Sequence, residues 1–423
     1  MTIRKKLKRI VAAGLNYFGL RPGFVIIFTF AAFSLLSALL LNLGFCSATG
    51  ESIGFTKSFF TAISAATTTG LTLVPTLESW SFFGKLIIML TIQIGGLGII
   101  TIGSLLSLLF FRGLGMGMSF SNSQELGENN VGEIKNFVLT VVSTSFIFEL
   151  ITFLCLLPTT MQGNSEDNFH QFGEALFFAV SSFNNAGFDI SGSNFLSYSE
   201  NNFFLIVIFF SGFIGGLGYP VIFNVLHKIS SRSRLVHLSL NTKLTFITSV
   251  LVTFIGSTLF IISEWNGKLG VNLGDLDDKI VKLFTYSSMA RFDGFGFIDV
   301  NLLSPFAKLL TIINMFIGGS NGSTAGGVKV TTIAVLALAT ISVLFGKSKI
   351  TIWHKTINDR FVKLSVTVFL TYIILIFLGF MLLSGILTRE FDMTSFKLIF
   401  DIVSALSNCG LSSGAVGLMS GAE

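Results

Sequence analysis

Charge is what this sequence has least of. Only 12% of the 423 residues are Asp, Glu, Lys or Arg, about half of what a soluble surface needs. Such a chain cannot clothe two or three soluble domains in water, which its length would otherwise suggest. Proline is scarce, with 5 residues, so Pro-rich linkers and low-complexity disorder are excluded. The 3 cysteines, Cys46, Cys155 and Cys409, are too scattered for a disulfide or zinc framework. Cys46 and Cys155 read as small apolar fillers. The 4 histidines, His170, His227, His237 and His354, form no His-Glu-x-x-His pattern, and no Gly-x-x-x-x-Gly-Lys-Ser/Thr phosphate loop occurs. No nucleophile-base pair or metal set for an intramembrane hydrolase is readable, so an enzyme is not expected and no catalytic residue is assigned.

Apolar residues make up 51% of the chain, and Phe alone occurs 48 times. Stretches 23–44, 82–111, 137–157, 203–227, 244–263, 305–345 and 364–384 are each at least the length of about 20 residues that a helix needs to cross a bilayer. The sixth is over-long and interrupted at 318–327 by Gly318-Gly319-Ser320-Asn321-Gly322-Ser323-Thr324-Ala325-Gly326-Gly327. Shorter apolar stretches at 56–66, 169–182, 278–289 and 394–406 suit half-spans. The expectation is an all-α, multi-pass membrane protein whose partner is the lipid bilayer.

The net charge of +5 records topology rather than a nucleic-acid partner. With a cytoplasmic N-terminus, most of the 27 bases fall inside, among them Arg4, Lys5, Lys6, Lys8, Arg9, Arg112, Arg232 and Arg234. Of the 22 acids only Glu125, Glu128, Glu133 and Asp359 do so. The base asymmetry obeys the positive-inside rule, and acids at the outer mouth would concentrate cations there.

The half-spans end alike, in Thr67-Thr68-Thr69-Gly70-Leu71, Asn184-Asn185-Ala186-Gly187-Phe188, Arg291-Phe292-Asp293-Gly294-Phe295 and Asn408-Cys409-Gly410-Leu411. The glycines recur at about 110 residues, far longer than a solenoid period. One such glycine would be an ordinary turn. Four in register are the means to aim successive carbonyls at one axis, where they can replace a cation's hydration shell.

These residues resemble the membrane subunit of the Trk/Ktr/HKT superfamily of potassium transporters, the KtrB/TrkH-like type. The resemblance is carried by the glycine loops, by Gln93-Ile94-Gly95-Gly96-Leu97-Gly98 and Ile214-Gly215-Gly216-Leu217-Gly218-Tyr219-Pro220, and by the broken sixth span through Val328-Lys329. It implies four M1-P-M2 repeats, K⁺-channel-like, with pseudo-fourfold symmetry. On this sequence they would be 23–111, 134–227, 241–345 (with a broken M2 at 318–327) and 361–423, after a basic cytoplasmic N-terminus at 1–22. It implies K⁺ uptake, in some members as Na⁺-linked symport with Na⁺ as a stimulating ion, and no organic cofactor. The implied partners are a second copy and a cytosolic ring of nucleotide-binding, RCK-type subunits. The implied location is the plasma (inner) membrane.

Residue by residue, the implied selectivity filter is Thr68, Thr69, Gly70, Leu71, Asn185, Ala186, Gly187, Phe188, Phe292, Asp293, Gly294, Phe295, Asn408, Cys409, Gly410 and Leu411. Glycine in all four loops is the pattern of K⁺-selective members. Arg291 would brace the filter through backbone carbonyls. Gly318, Gly319, Asn321, Gly322, Ser323, Thr324, Gly326, Gly327 and Lys329 would form an intramembrane gating loop. Asp293 departs from the family's Arg-Thr-Ala-Gly-Phe and would pair with Arg291. Glu149, inside the third span, would pair with a base such as Lys329 or make a polar helix contact. After Gly410 the sequence holds no further apolar run, so the fourth repeat is expected to lack its M2 helix. An inactive or incomplete pore subunit and an alternating-access cation carrier are the alternatives to a K⁺-conducting pore.

Overall fold

The computed structural model of the chain describes residues 22–98, 134–161, 168–192, 195, 198–230, 238–267, 270, 275–347, 349–353, 355–390, 394–414 and 416–417. The basic terminus, the 99–111 end of the second span and the bases Arg112, Arg232 and Arg234 lie outside these residues.

The longer helices are α1 (Pro22–Leu41), α2 (Phe55–Ala66), α3 (Phe82–Leu97), α4 (Ile134–Thr160), α5 (Asn168–Phe183), α6 (Asn202–Leu217), α7 (Tyr219–Ser230), α8 (Leu240–Glu264), α9 (Leu276–Met289), α10 (Pro305–Phe316), α11 (Val330–Leu344), α12 (Asp359–Glu390) and α13 (Ser395–Leu406). A two-residue antiparallel ladder, Thr351–Ile352 with Lys355–Thr356, precedes α12. Among the described residues, Phe137–Thr160, Leu240–Glu264 and Asp359–Gly385 are single helices long and apolar enough to cross a membrane.

The half-spans form α2, α5, α9 and α13, each packed on the helix before it: α1 with α2, α4 with α5, α8 with α9, α12 with α13. Contacts then pass from one module to the next, α3 to α5, α6 to α9 and α10 to α13. The helices that leave the glycine loops start alike. Ser81, Asn201 and Ser304 cap α3, α6 and α10 by accepting from the amides of Gly84, Phe204 and Ala307, a contact that contributes about 1 kcal/mol each. Outward faces stay apolar; on α12, Ile373, Ile374, Phe377 and Leu382 are exposed, as lipid-facing surface must be.

The fourth span corrects the sequence reading. The stretch 203–227 reads as one continuous helix, but the structure breaks it at Gly218 (φ +85°), where α6 and α7 meet at 91°. Pro220 has no amide hydrogen to continue the ladder. Backbone groups freed at membrane depth need partners, and the loop between α10 and α11 supplies them. The Ser320 amide donates to Gly216 O at 3.0 Å, the Tyr219 amide to Gly322 O at 3.0 Å, and the Ser320 hydroxyl donates to Leu217 O.

Candidate functional site: a ring of four glycine loops

The C-termini of α2, α5, α9 and α13 lead into the glycine loops, so four helix ends bring partial negative charge towards one place. Gly70, Gly187, Gly294 and Gly410 all hold positive φ, between +64° and +95°. Their contacts run in a circle. A Cβ on Gly70 would overlap Ala186 O, on Gly187 Asp293 O, on Gly294 Cys409 O, and on Gly410 Thr69 O. Each glycine therefore lies against the carbonyl that precedes the next loop's glycine, and the fourth loop returns to the first.

Three loops share one backbone turn. Thr68, Asn185 and Asn408 adopt φ of +52°, +53° and +47°, and the amides of Thr69, Ala186 and Cys409 donate to Ser64 O, Ser181 O and Ser404 O. The third turns differently. The amides of Asp293 and Gly294 both donate to Met289 O, at 2.9 and 2.8 Å. Phe292 there is buried, with its ring 4.6 Å from the Arg291 guanidinium and edge-on to Phe213. Its side chain thus packs against Arg291, Phe213 and Gly216.

The residue after each glycine is an anchor. Leu71, Phe188, Phe295 and Leu411 are all buried, and Phe295 stacks on Phe195 at 4.7 Å. Burying such a side chain stabilises by about 1.5–3 kcal/mol. Side chains also cross-link the loops: Thr69 Oγ1 donates to Asn408 Oδ1 at 3.2 Å, and Cys409 Sγ to Ala290 O at 3.0 Å.

The glycine ring lies between two cavities. On one side is a vestibule of about 700 Å³ touched by all four glycines, with Asp189, Glu200 and Asp299 in its wall. Lys282, also in that wall, is buried and bonded to Glu200 at 2.8 Å. Asp189 accepts from the amides of Ser191 and Phe195, so this acid also shapes the chain after Phe188. On the other side is a cavity of about 400 Å³, lined by Thr67, Thr68 and Asn408 from the loops and by Thr324, Ala325 and Lys329 opposite them.

Residues 317–328, at the break in the sixth span, form a closed hairpin at this second cavity. Ile317 and Val328 pair as a parallel bridge, and the amides of Gly318, Gly319 and Val328 donate to Val328 O, Gly326 O and Phe316 O. The hairpin touches all four loops. Thr68 Oγ1 donates to Thr324 O at 3.3 Å, and the Thr324 hydroxyl donates to Asn185 Oδ1. Gly326 lies where a Cβ would overlap Ser407 O. Arg291 completes the set, donating to Ile317 O at 3.0 Å and Gly318 O at 3.2 Å, and to Ser249 O and Thr253 Oγ1 of α8. Ser323 bonds Ser320 O within the hairpin, and Asn321 is exposed.

Two expected charge pairs are replaced. The Asp293 carboxylate accepts from Asn185 Nδ2 instead of meeting Arg291, because the loop sends the two side chains to opposite neighbours. Glu149 accepts from Ser145 Oγ at 2.7 Å and Asn184 Nδ2 at 3.1 Å, while Lys329 Nζ donates to Ala325 O at 2.7 Å. Glu149 thus makes the polar helix contact, not the pair with Lys329.

The Gly-Gly-Leu-Gly strings gain a geometric reason. A Cβ on Gly95 would overlap Ala66 O, and one on Gly215 would overlap Phe183 O. Ala66 and Phe183 are the last residues of α2 and α5. The strings let an outgoing helix touch the end of the half-helix before it; their repetition at matching places was the signal available in the sequence. Gly95→Ala and Gly215→Ala are each expected to destabilise by about 1–3 kcal/mol through overpacking. Gly173→Ala, with open space at its Cβ, should gain up to about 1 kcal/mol of helix propensity. Thermal unfolding in detergent measures all three, and equal shifts would refute the packing account.

A family model described as a cation transport protein, TrkH, matches residues 18–422. The chain belongs to the TrkH family of cation transport proteins. It is 30% identical to the potassium/sodium uptake protein NtpJ of Enterococcus hirae, over 98% of this chain and 88% of that protein. It is 29% identical to the Ktr system potassium uptake protein B of Vibrio alginolyticus, over 92% and 84%. The crystal structure of the potassium transporter TrkH from Vibrio parahaemolyticus shares the fold, with a TM-score of 0.70 at 18% identity, covering 93% of this chain and 77% of that one. This TrkH-family chain is accordingly a membrane transport subunit, not an enzyme.

Proposed function

We propose that this chain is the ion-conducting subunit of a K⁺ uptake system, in which the glycine ring is the selectivity filter and the 317–328 hairpin the gate. The observation that carries the reading is the ring's place between two cavities, one of them lined by a hairpin in contact with all four loops. A cation drawn into the acidic vestibule exchanges water for the carbonyls of Thr69, Ala186, Asp293 and Cys409, then enters the second cavity down its electrochemical gradient. K⁺ is the favoured ion because every loop carries glycine, the pattern that the resemblance implies for K⁺-selective members. Na⁺, named for the Enterococcus relative, is the candidate stimulating ion.

Lys329 places a cation in the cavity wall beside the hairpin, where it opposes ion entry until the hairpin moves. Movement of α10 or α11 would carry the hairpin ends with it, which is where a cytosolic nucleotide-binding ring would act. The resemblance supplies that partner and the second copy of the chain; the base asymmetry supports an inner-membrane location with the N-terminus in the cytoplasm.

Uptake of ⁸⁶Rb⁺ by proteoliposomes holding the chain with a matching regulatory ring tests the reading. Channel-like uptake down the ion gradient, with K⁺ outcompeting Na⁺, supports it; none from monodisperse protein sinks it. Lys329→Gln should raise uptake without the ring by about tenfold, equivalent to about 1.4 kcal/mol. An unchanged rate would remove Lys329 from the gate.

A further inference from the structure

The Asp293 side chain is buried inside the protein. Its Oδ1 accepts from Asn185 Nδ2 in the neighbouring loop. Room for it comes from Gly212 of α6, where a Cβ would overlap both carboxylate oxygens. Asn185 Nδ2 also donates to Gly212 O at 2.9 Å. The Gly212 carbonyl only accepts, Asp293 Oδ1 accepts beside it, and the amide nitrogen has two hydrogens to give. Both are therefore committed, and the carboxamide can point only one way. Its Oδ1 is left facing the hairpin, where the Thr324 hydroxyl donates to it. The same Thr324 hydroxyl lies 3.3 Å from Phe183 O, and Thr324 O accepts from Thr68 Oγ1.

We propose that Asp293 is a positioning residue for the gate: it orients the Asn185 carboxamide so that its oxygen holds Thr324, coupling the third and second filter loops to the hairpin. This inference rests on the reading of the ring as filter and of the hairpin as gate. The chain of contacts crosses three segments far apart in sequence and runs through side chains alone. A change at either end, Asp293 or Thr324, therefore breaks the same connection.

A double-mutant cycle on the full chain in proteoliposomes tests it, read as ⁸⁶Rb⁺ uptake without a regulatory ring. Asp293→Ala and Thr324→Val should each raise this ungated uptake by up to about tenfold, the size of one net hydrogen bond. The double variant should not exceed the larger single effect, because one connection can be broken only once. Asp293→Asn keeps an acceptor and Thr324→Ser keeps a hydroxyl, so each should bring uptake back towards the unmodified rate. If Asp293→Ala is not monodisperse, Asp293→Ser, too short to reach Asn185, takes its place in the cycle. Single effects that multiply, an Asp293 variant with unmodified ungated uptake, or Thr324→Ser matching Thr324→Val would each overturn the coupling. Absence of any Rb⁺ uptake by the unmodified chain with its ring would instead overturn the functional reading, and the inference with it.

Discussion

Gly294→Ala is expected to reduce Rb⁺ uptake to background. The position has φ +64°, and placing an L-side chain there costs about 1–2 kcal/mol. The larger effect is local. The new methyl would overlap Cys409 O, so the carbonyl of the fourth loop must turn away from where it would meet the ion. Filter carbonyls act as a set, and one displaced ligand leaves an ion incompletely dehydrated on that side. Gly414→Ala is the matched comparison, with φ +108° but open space at its Cβ. It should retain uptake while bearing a backbone cost at least as large. If Gly294→Ala conducts within about twofold of the unmodified protein, a change worth under ~0.5 kcal/mol, the Cys409 carbonyl is not a ligand.

Arg291→Met should both unfold the protein more readily and impair uptake. The guanidinium is buried and donates to Ser249 O, Thr253 Oγ1, Ile317 O and Gly318 O. Each acceptor left without a partner costs about 1–3 kcal/mol. A loss of about 3 kcal/mol or more is expected in denaturant or thermal unfolding. Arg291→Lys keeps the charge but not the planar fork that spans α8 and the hairpin at once, so it should recover only part of the stability. The two readouts separate the roles. Arg291→Lys variants that fold normally yet show raised ungated uptake would place Arg291 in control of the hairpin. Arg291→Met with unaltered stability would contradict the bonding described here.

Much of this architecture is legible in the sequence because it rests on apolar length and on glycine. Half-spans 56–66 and 169–182 appear as Phe55–Ala66 and Asn168–Phe183, since too few apolar residues are available to cross and left-handed turns at Thr68 and Asn185 follow the helix ends. The break at Gly218 shows in the sequence only as the Gly218-Tyr219-Pro220 string, which the apolar length of 203–227 outweighs. The groups freed at the bend are met by Ser320, which donates to Gly216 O and Leu217 O, and by Gly322 O, which accepts from the Tyr219 amide, about a hundred residues further along the chain. Sequence proximity also misleads about charges. Asp293 and Arg291 look like partners, yet the turn between them sends one towards Asn185 and the other towards Ile317 and Gly318. For Glu149 the right partners were neutral amides and a hydroxyl, which leave no charge pattern to read.

The circle of glycine-to-carbonyl contacts has a mechanical consequence. A linear stack relaxes at its free ends; a closed sequence of supports has none. Gly70 rests on the second loop, Gly187 on the third, Gly294 on the fourth and Gly410 on the first. None of the four carbonyls is therefore without a neighbouring loop packed against it. The four loops differ in sequence, so the proposed ion path would pass four different chemistries held in one closed set of contacts.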